Sequence, residues 1–156
     1  MDFGGRYLFG ANRADVWAAL NDVAVLGAVI PGCRHIEWTG PETLDMTIRV
    51  ELSIVNPTFA GELTLSNVRP AESYTLSGRG KGGLLGMAQA AADITLEDAA
   101  GGTLLKFEAV GKADGGIMKL GRTLIGNSAQ KIIDGFFEAI GREMGATVTA
   151  LPRDPS

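Results

Sequence analysis

The stretch Ser73–Gly86, SYTLSGRGKGGLLG, decides between two folds. Gly78-Arg79-Gly80-Lys81-Gly82-Gly83 spells G-x-G-x-x-G, and the acidic Glu97 and Asp98 follow roughly 20 residues on. A dinucleotide site places such a loop between a buried parallel strand and a helix whose N-terminus holds the pyrophosphate. Here the strand before the loop alternates. Ser73, Thr75 and Ser77 stand against Tyr74, Leu76 and Gly78, so one face of the strand is wet. Beyond the loop the alternation resumes in Ala88, Ala90, Ala92, Ile94 and Leu96, and no second strand-helix-strand unit follows. A phosphate-binding P-loop fails as well, because Gly82 follows Lys81 where Ser or Thr is required. The stretch therefore reads as one strand of an antiparallel sheet and the turn into the next.

The flanking sequence extends that reading. On the N-terminal side, Thr43–Val55 alternates almost without a break: Leu44, Met46, Ile48, Val50, Leu52 and Ile54 against Asp45, Thr47, Arg49, Glu51 and Ser53. Cys33 to Gly40 forms a strand before it, and Phe59, Gly61, Leu63 and Leu65 share one face of a strand after it. On the C-terminal side, Leu105, Phe107, Ala109 and Gly111 form the inner face of another. The chain opens with a strand over residues 2–10, with Phe3, Tyr7 and Phe9 on one face. Two short helices follow, the first capped by Asn12 and the second, Val23 to Ile30, stopped by Pro31-Gly32. Residues 117–148 carry apolar positions at helical spacing, with Lys119, Arg122, Lys131, Asp134, Glu138 and Arg142 on the wet side. The expected architecture is α+β: a curved antiparallel sheet of about seven strands, in the order β-α-α-β6-α, wrapped around a long C-terminal helix. Residues 1–148 form one domain and 149–156 a disordered tail.

Composition narrows the partners. A net charge of −4 disfavours nucleic acid, whose phosphates need a basic face. The single cysteine, Cys33, permits no internal disulfide and suits a reducing compartment. MDFGGRYLFG has no basic segment before an apolar core, so no signal peptide is expected. The apolar run Val23–Ile30 is too short to span a bilayer. The 22 glycines are about twice the usual share and call for an explanation.

The element order is that of the helix-grip arrangement of the START and birch-pollen-allergen superfamily. Phe9-Gly10-Ala11, Val16-Trp17-Ala18-Ala19-Leu20-Asn21-Asp22, Leu26 and Ile30-Pro31-Gly32-Cys33 resemble the opening of the carbon monoxide dehydrogenase G-subunit family. So do Phe59-Ala60-Gly61, the run Tyr74–Gly80, Gly102–Phe107, Gly115-Gly116-Ile117 and Gly121-Arg122. The resemblance implies a non-catalytic accessory protein of molybdenum hydroxylases of the CO dehydrogenase type. It also implies an apolar cavity carrying a quinone, menaquinone or ubiquinone, with no other cofactor required. It places the protein in the cytoplasm, with peripheral contact at the inner face of the cell membrane. Many of the family continue into a longer tail; ending at Ser156, this sequence is not expected to anchor through one.

The residues themselves supply candidates for the cavity. Gly61, Gly78, Gly80, Ala88, Ala90, Ala92 and Gly111 all point inward in this register. Small residues on neighbouring strands either bend the sheet or leave room for a ligand. Gly121, Gly126, Gly135, Gly141 and Gly145 each cost roughly 1 kcal/mol in a helix interior. Gly121 and Ala129 lie near the apolar stripe and widen the space beneath the helix, or they permit close packing or a mobile, kinked helix. The expected lining is Ile30, Leu52, Ile54, Phe59, Leu63, Tyr74, Gly78, Gly80, Met87, Phe107, Leu120, Ile125, Ala129, Ile133, Phe136 and Phe137, with Tyr74 offering one hydrogen bond.

Other chemistry finds little support. Cys33 and His35 share a strand face, but strand neighbours at that spacing rarely reach nucleophile-base geometry. One His and one Cys make a zinc site of ordinary ligands a poor expectation. The carboxylates Asp45, Glu51, Glu62, Asp93, Glu97 and Glu108 mostly fall on the polar face. Arg79, Lys81, Lys112, Lys119 and Arg122 form a candidate basic rim for anionic headgroups or an acidic partner, or are ordinary solubilising charges. The alternatives to a ligand carrier are a START-type cyclase or dehydratase, which needs an acid or base inside the cavity, and an adaptor with a filled interior.

Overall fold

The computed structural model describes residues 2–49, 58–81, 87–113 and 129–152. Strand β1, Asp2–Phe9, turns its buried Tyr7 and Phe9 to one side. Helix α1, Arg13–Leu20, begins at Asn12, whose side chain accepts the Asp15 amide at 2.8 Å. Helix α2, Val23–Val29, begins at Asp22, which accepts the Ala24 amide at 2.9 Å. Each cap satisfies an amide that the first helical turn leaves without a backbone partner. The strands β2 (Cys33–Trp38), β3 (Thr43–Arg49), β4 (Thr58–Arg69), β5 (Ser73–Lys81), β6 (Met87–Ala99) and β7 (Gly102–Ala113) follow, then helix α3 (Ala129–Met144) and strand β8 (Val148–Leu151).

The eight strands of the described residues form one curved antiparallel sheet in the order β2-β3-β4-β5-β6-β7-β1-β8. The registers keep the expected faces: Leu63 lies opposite Gly78, Leu76 opposite Ala92, and Ile94 opposite Phe107. The inner face packs on helices α1, α2 and α3 through one core that includes Tyr7, Phe9, Val16, Leu20, Leu26, Leu65, Ile94, Leu105, Phe137 and Ile140. Phe137 is the hub of its aromatic part. Its ring lies 4.5 Å from Tyr7, 5.7 Å from Phe107 and 5.1 Å from Phe136, centroid to centroid. This is the helix-grip architecture that the sequence order implies.

The C-terminus departs from expectation in two ways. The last helix does not run to residue 148. Gly145 takes a left-handed φ of +72°, the Ala146 amide bonds the Gly141 carbonyl at 2.8 Å, and the Gly145 amide bonds that of Arg142 at 3.3 Å. That crossed pair is a Schellman stop, in which glycine serves as the terminator. Gly145 is thus not the interior helix glycine that the sequence suggests. The chain then returns along β1, with Val148 opposite Phe9 and Leu151 opposite Arg6, and adds an eighth strand where a disordered tail is expected. Side-by-side pairing with β1 orders residues 149–151 because it satisfies backbone groups that a free tail leaves to water. The expected helix start at 117 and the expected strand beyond Arg49 lie outside the described residues.

Asp134 is a further correction. Instead of facing water it accepts the Tyr7 hydroxyl at 2.6 Å, linking the first turns of α3 to β1. Gly5 makes room for this contact: a Cβ there would stand 2.7 Å from the Tyr7 hydroxyl oxygen. Among the described residues, no helix is long and apolar enough to cross a membrane.

Candidate functional site

Between the inner face of the sheet and the helices lies a cavity of about 310 Å³. The sheet contributes Leu44 from β3, Leu63 and Leu65 from β4, Tyr74 and Leu76 from β5, Ile94 from β6 and Phe107 from β7. Leu20, Asn21 and Leu26 close it from the helix pair, and Ile133, Phe136 and Phe137 from α3. Ile30 and Pro31 beyond α2, and Ile36 and Trp38 from the edge strand β2, complete the wall. Pro31 is exposed and Trp38 is 36% exposed, which puts the rim at this edge of the sheet.

Among the described residues the wall is almost entirely hydrocarbon, and Asn21 and Tyr74 interrupt it. Asn21 turns its amide nitrogen to the Trp17 carbonyl at 2.9 Å. Tyr74 is 6% exposed, and its ring meets Trp17 edge to face at 5.1 Å. Burial raises the pKa of its hydroxyl well above the ordinary phenol value, because the charged form would lose its hydration. The group therefore stays protonated. Among the described residues, no carboxylate and no histidine lines the cavity.

Of the residues expected to line it, Ile30, Leu63, Tyr74, Phe107, Ile133, Phe136 and Phe137 come together here. Phe59 lies farther along β4, opposite Ile48 and outside the wall. Met87 pairs with Lys81 and lies with it, Asp45, Thr47 and Glu62 in a depression on the outer face, because its place in the β6 alternation is odd where the inner residues are even. Gly78 and Gly80 do not border the cavity; they contribute backbone to depressions on the outer face. The room at Gly78 is already filled, since a Cβ there would stand 2.5 Å from Cδ2 of Leu63. At Gly61 a Cβ would come within 2.8 Å of the Arg79 carbonyl, so that glycine permits close strand approach and leaves no hollow. Ala129 opens α3. Leu52, Ile54, Leu120 and Ile125 lie outside the described residues.

The lining residues that sequence reasoning misses have two origins. Leu44, Leu65, Leu76 and Ile94 share the inward register of the expected lining, and the alternation already points them inward. Ile36 and Trp38 alternate on β2 in the same way. Leu20, Asn21 and Leu26 enter only because the two short helices fold over the sheet.

The remaining candidates do not assemble. A register shift separates Cys33 from His35 along β2. The Cys33 thiol points to the His35 carbonyl at 3.5 Å, while the imidazole Nε2 stands 3.3 Å from Glu37. Arg79 and Lys81 are exposed on the outer face, in register with Glu62 and Ala60.

A curved antiparallel sheet gripping a C-terminal helix around an apolar cavity defines a protein of the birch-pollen-allergen-like helix-grip class. Within it, the family model of the carbon monoxide dehydrogenase G subunit (CoxG) matches residues 5–145, and the chain belongs to that family. Solved structures agree on the fold. A conserved protein from Geobacillus kaustophilus superposes with a TM-score of 0.82 at 22% identity, over 95% of this chain and 99% of its own. Protein CV1439 from Chromobacterium violaceum gives 0.71 at 13% identity, over 92% and 96%. Ara h 8.0201 gives 0.63 at 18% identity, over 92% and 97%. No curated protein matches the chain.

Proposed function

We propose that this protein is a non-catalytic accessory that holds a lipophilic ligand, a quinone, in its internal cavity and serves a molybdenum hydroxylase of the CO dehydrogenase type. The observation that carries this reading is the hydrocarbon wall around about 310 Å³. Ligand pockets begin at roughly 300 Å³, and an apolar hole of about 150 Å³ already admits benzene. A sealed, empty hole of this size would cost on the order of 7 kcal/mol at about 24 cal/mol per Å³, as much as a whole domain's stability. Filling it with hydrocarbon recovers roughly 0.8 kcal/mol per buried CH₂. Membership in the CoxG family supports the link to a dehydrogenase. The exposed Trp38 and Pro31 at the rim suit loading from the cytoplasmic face of a membrane. A wall without carboxylate or histidine, among the described residues, favours carriage over cyclase-type acid-base work.

Native mass spectrometry tests the reading. Protein purified directly, or incubated with menaquinone or ubiquinone, is expected to retain one isoprenoid or acyl molecule per chain. Protein that keeps none under either treatment overturns it.

A further inference from the structure

Every fully enclosed side-chain nitrogen or oxygen among the described residues has a hydrogen-bond partner. The hydroxyl of Tyr74 has none among those residues, although the side chain is 6% exposed. Its oxygen therefore meets open space, and Tyr74 is one of the residues that line the cavity. A phenol unpaired in a hydrocarbon wall is costly unless water or a ligand completes it. The ring cannot easily turn away. Trp17 packs against it at 87° between ring planes, and Ile94 lies directly opposite on β6.

We propose that the Tyr74 hydroxyl is the polar anchor of the cavity: it donates its proton to an oxygen acceptor on a lipophile and so selects acceptor-bearing lipophiles over hydrocarbons of the same shape. The inference rests on the cavity being a ligand site. A hydrocarbon that enters displaces whatever water satisfies the hydroxyl and returns nothing for it. A carbonyl oxygen at the same place restores the bond. The acceptor class follows from the donor. The hydroxyl stays protonated, and no carboxylate, lysine or arginine lines the wall among the described residues, so the matching group is neutral. The cavity would thus take an uncharged ring or chain carrying a carbonyl or ether oxygen, and bind ions and plain hydrocarbons of the same shape less well.

A matched probe pair tests this on the full chain: 1-tetralone, a bicyclic ketone, against tetralin, its hydrocarbon counterpart. Ligand-observed NMR titrations give both affinities for the wild type and for Tyr74→Phe. The substitution should weaken 1-tetralone about five- to tenfold and leave tetralin unchanged or tighter. Taking the variant-to-wild-type ratio for each probe cancels their different solubilities in water. Infrared spectroscopy supplies a second readout. The carbonyl stretch of 1-tetralone bound to wild type should fall to the hydrogen-bonded position and return to the free position in the variant. Binding of both probes with equal ratios, or a bound carbonyl stretch at the free position in wild type, overturns the anchor while leaving the cavity reading intact. A wild type that binds neither probe overturns both. The variant removes one oxygen that bonds no described residue, so it should fold, and a melting temperature at or above that of the wild type verifies this.

Discussion

The interior of this protein has a packed end and a hollow end, and its two tyrosines mark them. At the packed end Tyr7 is fully buried, its ring 4.5 Å from that of Phe137 and its hydroxyl 2.6 Å from Asp134. At the hollow end Tyr74 is almost as buried, its ring against Trp17 and its hydroxyl without a partner among the described residues. Both sit on the inner face of one sheet, and both are held by aromatic contact. What differs is how the polar tip is satisfied. The fold places a carboxylate on α3 for one phenol and empty volume for the other. Hydrophobic burial fixes where both rings go, but the hydrogen-bond inventory separates a structural tyrosine from a candidate binding one.

The contrast can be broken most forcefully at the two adjacent phenylalanines of α3. Phe137 is 2% exposed and touches the rings of Tyr7, Phe9, Phe107 and Phe136. Phe136 is half-buried and lines the hollow. Phe137→Ala should cost about 3–5 kcal/mol, because the ring borders the cavity on one side only and its loss extends the hole into the filled region around Tyr7 and Phe9. Phe136→Ala enlarges space that already exists and should cost under about 2 kcal/mol. Urea unfolding of both variants compares them directly. Equal losses would mean that the two ends are packed alike.

The tyrosines themselves give a smaller effect of opposite character. Tyr7→Phe removes a hydrogen bond to a part-buried carboxylate and should cost about 1.5–3 kcal/mol, the range for bonds to charged groups. Tyr74→Phe removes a hydroxyl that bonds no described residue and should be neutral or stabilise by up to about 1 kcal/mol. Thermal denaturation without added ligand reads both. A Tyr74→Phe loss as large as that of Tyr7→Phe would show that the hydroxyl is satisfied from within the protein.

The strands are legible in the sequence because their period of two is long and regular, and because one-residue slips would bury Asp45, Glu62, Asp93 and Glu108 together. That regularity carries the sheet, its wet face and much of the cavity floor. The helix end is not legible, since the same glycine serves as an interior residue or as a left-handed terminator, and only the φ of Gly145 and its crossed hydrogen bonds separate the two. Strand β8, four residues long, is too short to show a period and exists only because β1 offers it an edge. Asp134 reads as solvated because its partner is 127 residues away. Counting small inward residues locates the wrong part of the hollow. Whether a missing side chain leaves a void depends on the neighbour, and at Gly78 the neighbour is a leucine that leans in.

That leucine gives the subtlest way to sharpen the comparison. Leu63 lies opposite Gly78 in the β4–β5 register, lines the cavity, and has Cδ2 where a Gly78 side chain would go. Gly78→Ala adds a methyl group 2.5 Å from that carbon, a distance that forces movement. The obstacle is the far end of a side chain with other rotamers, so the protein yields there at a cost of at most about 1 kcal/mol. Gaining Ala in a strand interior offsets part of this, because glycine is unfavourable there by roughly 0.5–1 kcal/mol. Stability should stay within about 1 kcal/mol of wild type. The cavity should not be spared, since Leu63, turned away from Gly78, moves into the hollow. The variant should then bind 1-tetralone and tetralin more weakly by the same few-fold factor, measured in the titrations already described. A shared loss marks a change of volume, whereas a loss confined to the ketone marks the anchor. Unchanged affinity for both probes would mean that Leu63 has another place to go and that Gly78 does not control the hollow end.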